Sequence, residues 1–230
     1  AHVPTGFPAL DRALGIGGLP RGRVCEILGP ATSGKTTLAL KFLAQAQSQD
    51  RRREVAYVDQ ALYFDPDYAH RCGLDLSRLL VGTSYDLREA LAATEALVRS
   101  GSLSAMVFDS LDFLWTDAQA AALLAATLNR LPAALSRANT TLLILHETAP
   151  AETAAGASGE LPLGNSPALS TLSHSAAVRL QVVREHWVRR HGDVRGYEAR
   201  VEVLKNRLGP AGRAVNLTIE FNGTVRGNGL

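Results

Sequence analysis

The chain is poor in cysteine, with two residues, Cys25 and Cys72, in 230. Neither has a partner at metal-type spacing, which excludes a thiolate metal centre. Both read as buried free thiols in a reducing, cytoplasmic compartment. Long apolar runs are lacking, so no stretch approaches a membrane span, and the start Ala1-His2-Val3-Pro4 is not that of a signal peptide. Internal repeats are lacking too, which excludes a repeat architecture. The stretch Thr148 to Ser170 has no periodicity and contains no lysine, arginine or aromatic residue; its two charges, Glu152 and Glu160, are negative. Base stacking and phosphate neutralisation need the side chains it lacks.

What is present fits a globular protein: 46% hydrophobic and 20% charged residues, in a length that suits one domain over residues 1–230, with 148–170 as a flexible loop. The net charge of +2 hides an asymmetry. Residues 179–230 hold ten Lys/Arg against five Asp/Glu, while residues 1–178 hold fourteen against seventeen. A basic C-terminal quarter is a hint of polyanion binding.

One stretch organises the rest. Gly29-Pro30-Ala31-Thr32-Ser33-Gly34-Lys35-Thr36-Thr37 fits G-x-x-x-x-G-K-[ST], follows the apolar run Val24 to Leu28, and precedes a helical stretch, Leu38 to Gln47. Strand, glycine-rich turn and helix in this order make a phosphate-binding loop. Gly29 and Gly34 let the backbone curl so that N–H groups point at an anion, and the helix beginning near Lys35 adds its positive end. Lys35 then reaches the β- and γ-phosphates, and the Thr36 hydroxyl completes a Mg²⁺ shell.

Further along, Glu54 to Asp59 reads as a strand ending in an acid. Asp65-Pro66 caps and starts a short helix through His70. Leu79 to Val81 is a third strand, and Asp86 to Ser100 an amphipathic helix. Ala105 to Ser110 is a buried strand whose acid, Asp109, faces the metal opposite Thr36. Asp117 to Ala138 is an Ala/Leu-rich helix, bent or broken near Pro132. Thr140 to His146 is a strand with Glu147 at its end. Ala177 to Arg189, Tyr197 to Lys205 and Ala214 to Phe221 alternate as further strands, with turns at His191-Gly192-Asp193 and Leu208-Gly209-Pro210. The fold class is therefore α/β: a mostly parallel sheet flanked by helices, with antiparallel C-terminal strands and ligand at the strands' carboxyl edge.

These stretches resemble the ATP-binding core of the RecA recombinase family. The resemblance is carried by Thr5-Gly6, Leu10-Asp11, Gly17-Gly18-Leu19-Pro20, Gly22-Arg23-Val24, Glu26-Ile27 and residues 29–37. It continues through Asp65-Pro66-Asp67-Tyr68-Ala69, Phe108-Asp109-Ser110 and Val203-Leu204-Lys205-Asn206-Arg207. It implies ATP and Mg²⁺ as cofactors, handled by Lys35, Thr36 and Asp109. Asp65 and Tyr68 would contact the nucleoside, with Tyr68 on the adenine ring, and Phe221 stands where the family places an aromatic near the base. Lys205 and Arg207 match basic residues that reach a neighbouring subunit's γ-phosphate. They also fit solvent-facing charges on an edge strand.

The departures from the family are specific. The water-activating glutamate is replaced by Ala61, and the γ-phosphate-sensing glutamine maps onto Glu147, with His146 replacing an asparagine beside it. Glu147 or Asp112 is a candidate for a relocated catalytic acid; a strand-end acid without such a role is the alternative. The chain shows no counterpart of the family's N-terminal oligomerisation segment or its C-terminal domain, so a self-assembled filament is not expected, although an oligomer is compatible with the residues. Arg179, Arg184, Arg189, Arg190 and Arg195, with Trp187 among them, form either a solvated hairpin or a surface for single-stranded DNA or a partner. Arg179 and Trp187 are separated by an even number of residues and Arg184 and Arg190 fall on the other face, unless a bulge breaks the register. The expected function is an ATP-binding accessory factor in DNA repair or recombination, with weak or absent hydrolysis and a recombinase or repair polymerase as partner. The alternative is a DNA-dependent ATPase and strand-exchange enzyme.

Overall fold

Short apolar runs bounded by turn residues become strands, and the amphipathic stretches between them become helices on both faces of one sheet. The computed structural model describes residues 1–111, 118–148, 167–221 and 225–227. Asp112 and most of the stretch 148–170 lie outside the described residues. The first half comprises β1 (His2–Val3), α1 (Pro8–Leu14), β2 (Leu19–Pro20), β3 (Val24–Gly29), α2 (Lys35–Gln49), β4 (Glu54–Asp59), α3 (Pro66–Arg71), β5 (Leu79–Thr83), α4 (Leu87–Ser100) and β6 (Leu103–Asp109). The second half comprises α5 (Ala118–Ala138), β7 (Thr141–Glu147), α6 (Pro167–Ser175), β8 (Val178–Arg190), β9 (Asp193–Asn206), β10 (Ala214–Phe221) and β11 (Val225–Gly227).

The nine strands β3 to β11 form one sheet in the order β11-β10-β9-β8-β3-β7-β6-β4-β5. Pairings from β5 across to β8 are parallel, and those from β8 to β11 are antiparallel. This is the expected fold class. All six residues of β3 are buried between β7 and β8. Alternation sends Cys25 and Ile27 to one face, packed with Leu38, Phe42 and Leu43 of α2, while Val24 meets Leu128, Leu131 and Leu135 of α5 on the other. Each such fully buried side chain contributes about 1.5–3 kcal/mol.

The helix ends follow their cap residues. The Asp86 carboxylate accepts from the Arg88 N–H at the start of α4, and Gly101 closes that helix in the left-handed region. Asp65 accepts from the Tyr68 N–H, and Pro66 sits in the first turn of α3.

Three local expectations are resolved: a break at Pro132 and a loop throughout 148–170 are corrected, and the bulge offered for β8 is present. Helix α5 runs unbroken through Pro132. An interior proline costs about 3 kcal/mol, but Leu128 and Leu131 before it and Ala134 and Leu135 after it are all buried on the same core. Helix α6 begins at Pro167, inside the stretch expected to be a loop. Its last carbonyls accept hydrogen bonds from a distant strand, which no local pattern displays. The pairing of β8 with β9 shifts register at three places, between Arg179 and Leu180, Arg184 and His186, and Val188 and Arg189. The bulge therefore exists, and it reassigns the faces of the arginines as described below.

Candidate functional site

The glycine loop joins β3 to α2 at the carboxyl edge of the parallel strands. Gly29 has no room for a side chain: a Cβ there would lie 2.1 Å from the Val182 carbonyl oxygen. Gly34 has φ +105°, and a Cβ would meet the Tyr197 hydroxyl at 2.7 Å. Helix α2 starts directly after it with no side-chain cap, so the positive end of its dipole faces the loop. The Lys35 ammonium folds back and donates to the carbonyls of Gly29 at 2.9 Å and Pro30 at 2.8 Å. The buried Ser33 hydroxyl has no hydrogen-bond partner among the described residues, which leaves a donor inside the curl for an anion to engage.

Asp109 ends β6 beside the start of α2. Thr36 Oγ1 lies 3.4 Å from its Oδ2, and the Tyr57 hydroxyl donates a short hydrogen bond to the same oxygen. Burial, and then the Asp109 charge, push the Tyr57 hydroxyl far above its ordinary pKa, so it stays a donor. Oxygen ligands from Thr36 and Asp109 fit a hard divalent cation such as Mg²⁺.

The turn after β4 is held by backbone contacts. The Asp59 carboxylate accepts from the N–H groups of Tyr63 and Phe64, and the Asp109 carbonyl accepts from Gln60 and Ala61. Ala61 presents only a methyl group there. Glu147 ends β7 in register with Gly29, beside the opening of the loop.

A hydroxyl cluster surrounds the first turn of α2. Thr37 Oγ1 lies 2.7 Å from the Tyr68 hydroxyl and accepts from the Tyr197 hydroxyl at 3.0 Å. Burial pushes the Tyr68 hydroxyl up to about 12 and raises that of Tyr197 as well. Phe221 packs on Tyr197 with ring centres 5.7 Å apart. Tyr68 and Phe221, far apart in sequence, thus both join this cluster, Tyr68 through Thr37 and Phe221 through Tyr197, while Asp65 caps the helix that carries Tyr68.

Lys205, half-buried, and Arg207, exposed, share a side, and β9 is not an edge strand. Lys205 Nζ donates to the carbonyls of Ser173 and His174, and Arg207 donates to His174, so both cations hold the C-terminal end of α6. The bulge at Leu204 turns Lys205 toward that helix. Arg179 leaves the basic surface altogether. It is 8% exposed and donates to Glu26, which is 1% exposed. His146 Nδ1 lies 2.9 Å from the same carboxylate. Burial alone would raise the Glu26 carboxyl, but His146 and Arg179 outweigh it and hold it below the ordinary carboxylate range.

Sequence reasoning placed no role on Tyr57 or Tyr197, because each sits in an apolar alternation and reads as core. Unbroken alternation would put Arg184 and Trp187 on opposite faces, and a bulge on one. The extra residue at Glu185 puts them on one face, with the Arg184 guanidinium 4.2 Å from the Trp187 ring centre. Both line the cleft formed by residues 32–37 and Tyr197.

Strand, glycine loop and capless helix at the carboxyl edge of a mainly parallel sheet define an α/β protein with its open loop at the end of β3. The model of the RecA N-terminal domain matches residues 1–226. Protein RecA of Brucella anthropi is 36% identical over 239 residues, covering 99% of this chain and 64% of the relative. Protein RecA of Leifsonia xyli is 38% identical over 220 residues, covering 90% of this chain and 60% of the relative. The chain belongs to the RecA family. It spans less than two thirds of the length of these relatives. The crystal structure of the RadB recombinase is similar in fold, with a TM-score of 0.71 at 22% identity over 97% of this chain and 98% of that one.

Proposed function

We propose that this chain binds ATP with Mg²⁺ and serves DNA repair or recombination as a nucleotide-dependent accessory factor, with weak or absent hydrolysis. Membership of the RecA family supports the setting in recombination and repair and supports ATP as the nucleotide. Lys35, Ser33 and the first turn of α2 would hold the phosphates, Thr36 and Asp109 the metal, and Tyr68 and Phe221 the base. Bound Mg²⁺ would supply positive charge at the phosphate oxygens. The chain's own contribution there is to orient Asp109 through the Tyr57 hydroxyl and to keep Lys35 inside the loop.

The observation that carries the weak-hydrolysis reading is Ala61. A methyl group cannot accept a proton from water, and general-base help is worth about 10²–10⁴ in rate. Lys205 and Arg207 remain the candidates for contact with a neighbouring subunit's γ-phosphate. That contact has to compete with the α6 carbonyls they hold within the chain. Arg189, Arg190 and Arg195, all exposed, are the residues left for single-stranded DNA or for a recombinase or polymerase partner.

ATP binding and steady-state turnover, with and without single-stranded DNA and with Lys35→Ala as control, test this reading. Binding that depends on Lys35, together with negligible turnover, is the expected result. DNA-stimulated turnover lost in Lys35→Ala would overturn it in favour of a strand-exchange ATPase. The position of Glu147 beside Gly29 favours that second reading, and Glu147→Gln would then abolish the turnover.

A further inference from the structure

The cleft over the glycine loop is lined by residues 32–37, Arg184, Trp187 and Tyr197. That lining holds two cations, Lys35 and Arg184, and no acid. Lys35 approaches from within the loop. Arg184 approaches from β8, and its Nη1 donates to the Thr32 carbonyl at 2.9 Å. Among the described residues Arg184 has no carboxylate within ion-pair distance. Its guanidinium plane is instead held over the Trp187 indole, and Trp187 in turn meets the Tyr197 ring edge-on at 6.0 Å. The Tyr197 hydroxyl reaches Thr37, so the row from Arg184 to α2 is continuous.

We propose that Arg184 is a second polyphosphate-binding residue of this cleft, oriented by Trp187, and that the two form its wall opposite Lys35. The inference rests on the nucleotide-binding reading above and adds to it a contact made within the chain. A guanidinium carries five donors in a rigid fork. One serves Thr32 and fixes the loop, and the others are available to phosphate oxygens entering the cleft. Stacking on the indole fixes the plane of the fork without neutralising it. The same stack makes Trp187, 43% exposed, a reporter of what enters. The bulge at Glu185 is what makes this possible: in unbroken alternation Arg184 and Trp187, three residues apart, would point to opposite faces.

Inorganic tripolyphosphate, which has no base or sugar, isolates the contact. Its binding and that of ATP are measured by calorimetry on wild type, Lys35→Ala, Arg184→Ala, Arg184→Lys and Trp187→Phe, each checked for an unchanged melting profile. A charge-assisted hydrogen bond is worth ~1.5–3 kcal/mol, so Arg184→Ala is expected to weaken both ligands by about ten- to a hundred-fold. Arg184→Lys keeps the charge and loses the fork, and should fall between. Tryptophan emission should shift on adding tripolyphosphate to wild type, and the shift should vanish in Trp187→Phe. Wild-type affinity in both Arg184 variants, with Lys35→Ala still weak, would overturn this inference and leave the nucleotide-binding reading standing. If wild type and Lys35→Ala were equally unable to bind either ligand, the parent reading would fall and this inference with it.

Discussion

Glu26 is an acid in the middle of a fully buried strand, and its ionised form is tolerated only because Arg179 and His146 face it across the sheet. Removing one partner of a buried ion pair costs about 3–5 kcal/mol, because the other charge stays behind without compensation. Arg179→Met is expected to lower the urea-unfolding free energy by about that amount, and Glu26→Leu in the same chain to recover part of it. No recovery would mean that Arg179 acts through packing and not through charge. The pair also sets an acid limit. The folded carboxyl is held below its ordinary value of 4.5, so its contribution is present above about pH 4.5 and is lost as the pH falls from there through the lower folded pKa. The Arg179→Met profile should be flatter in that window.

At the scale of elements, α6 shows how a short helix depends on a distant strand. Nine residues are too few for independent stability, and its C-terminal carbonyls are held by Lys205 and Arg207. Replacing both by alanine should raise the hydrogen-exchange rate of the α6 amides and cost about 1–3 kcal/mol. Unchanged exchange in α6 would show that the contacts are incidental. This dependence explains why the helix was not legible in the sequence: its stabilising groups lie some thirty residues downstream. Helix α4 was legible because its determinants are local, with Asp86 before it, Gly101 after it and an apolar stripe between. The cap at Asp65 belongs with α4. Pro132 misled because the penalty is local and the compensation is tertiary. Arg179 misled because the parallel pairing of β8 with β3 sets it opposite Glu26, far away in the sequence, and alternation alone cannot reveal which strand lies alongside.

Across the whole molecule, order should fall from the centre of the sheet outward. β3 is buried along its full length, whereas residues 189–195 at the far end of the β8–β9 hairpin are all exposed. Native-state hydrogen exchange should therefore be slowest in β3, β6 and β7 and markedly faster at that hairpin end. Equal protection would indicate that something covers the hairpin in solution. The glycine loop itself was legible from nine consecutive residues, since its chemistry is written in the backbone freedom of Gly29 and Gly34. Its walls were not, because Tyr197, Arg184 and Trp187 arrive from two other strands.

The central position of β3 also orders events in time. Its two neighbours are β7, which begins at Thr141, and β8, which begins at Val178. During synthesis the loop sequence is made well before either strand that flanks β3, so it has no neighbours to close against until both have followed it. The loop is therefore clamped only once β7 and β8 have both been made, and a fragment of this chain ending before β7 carries the loop's sequence without its shape.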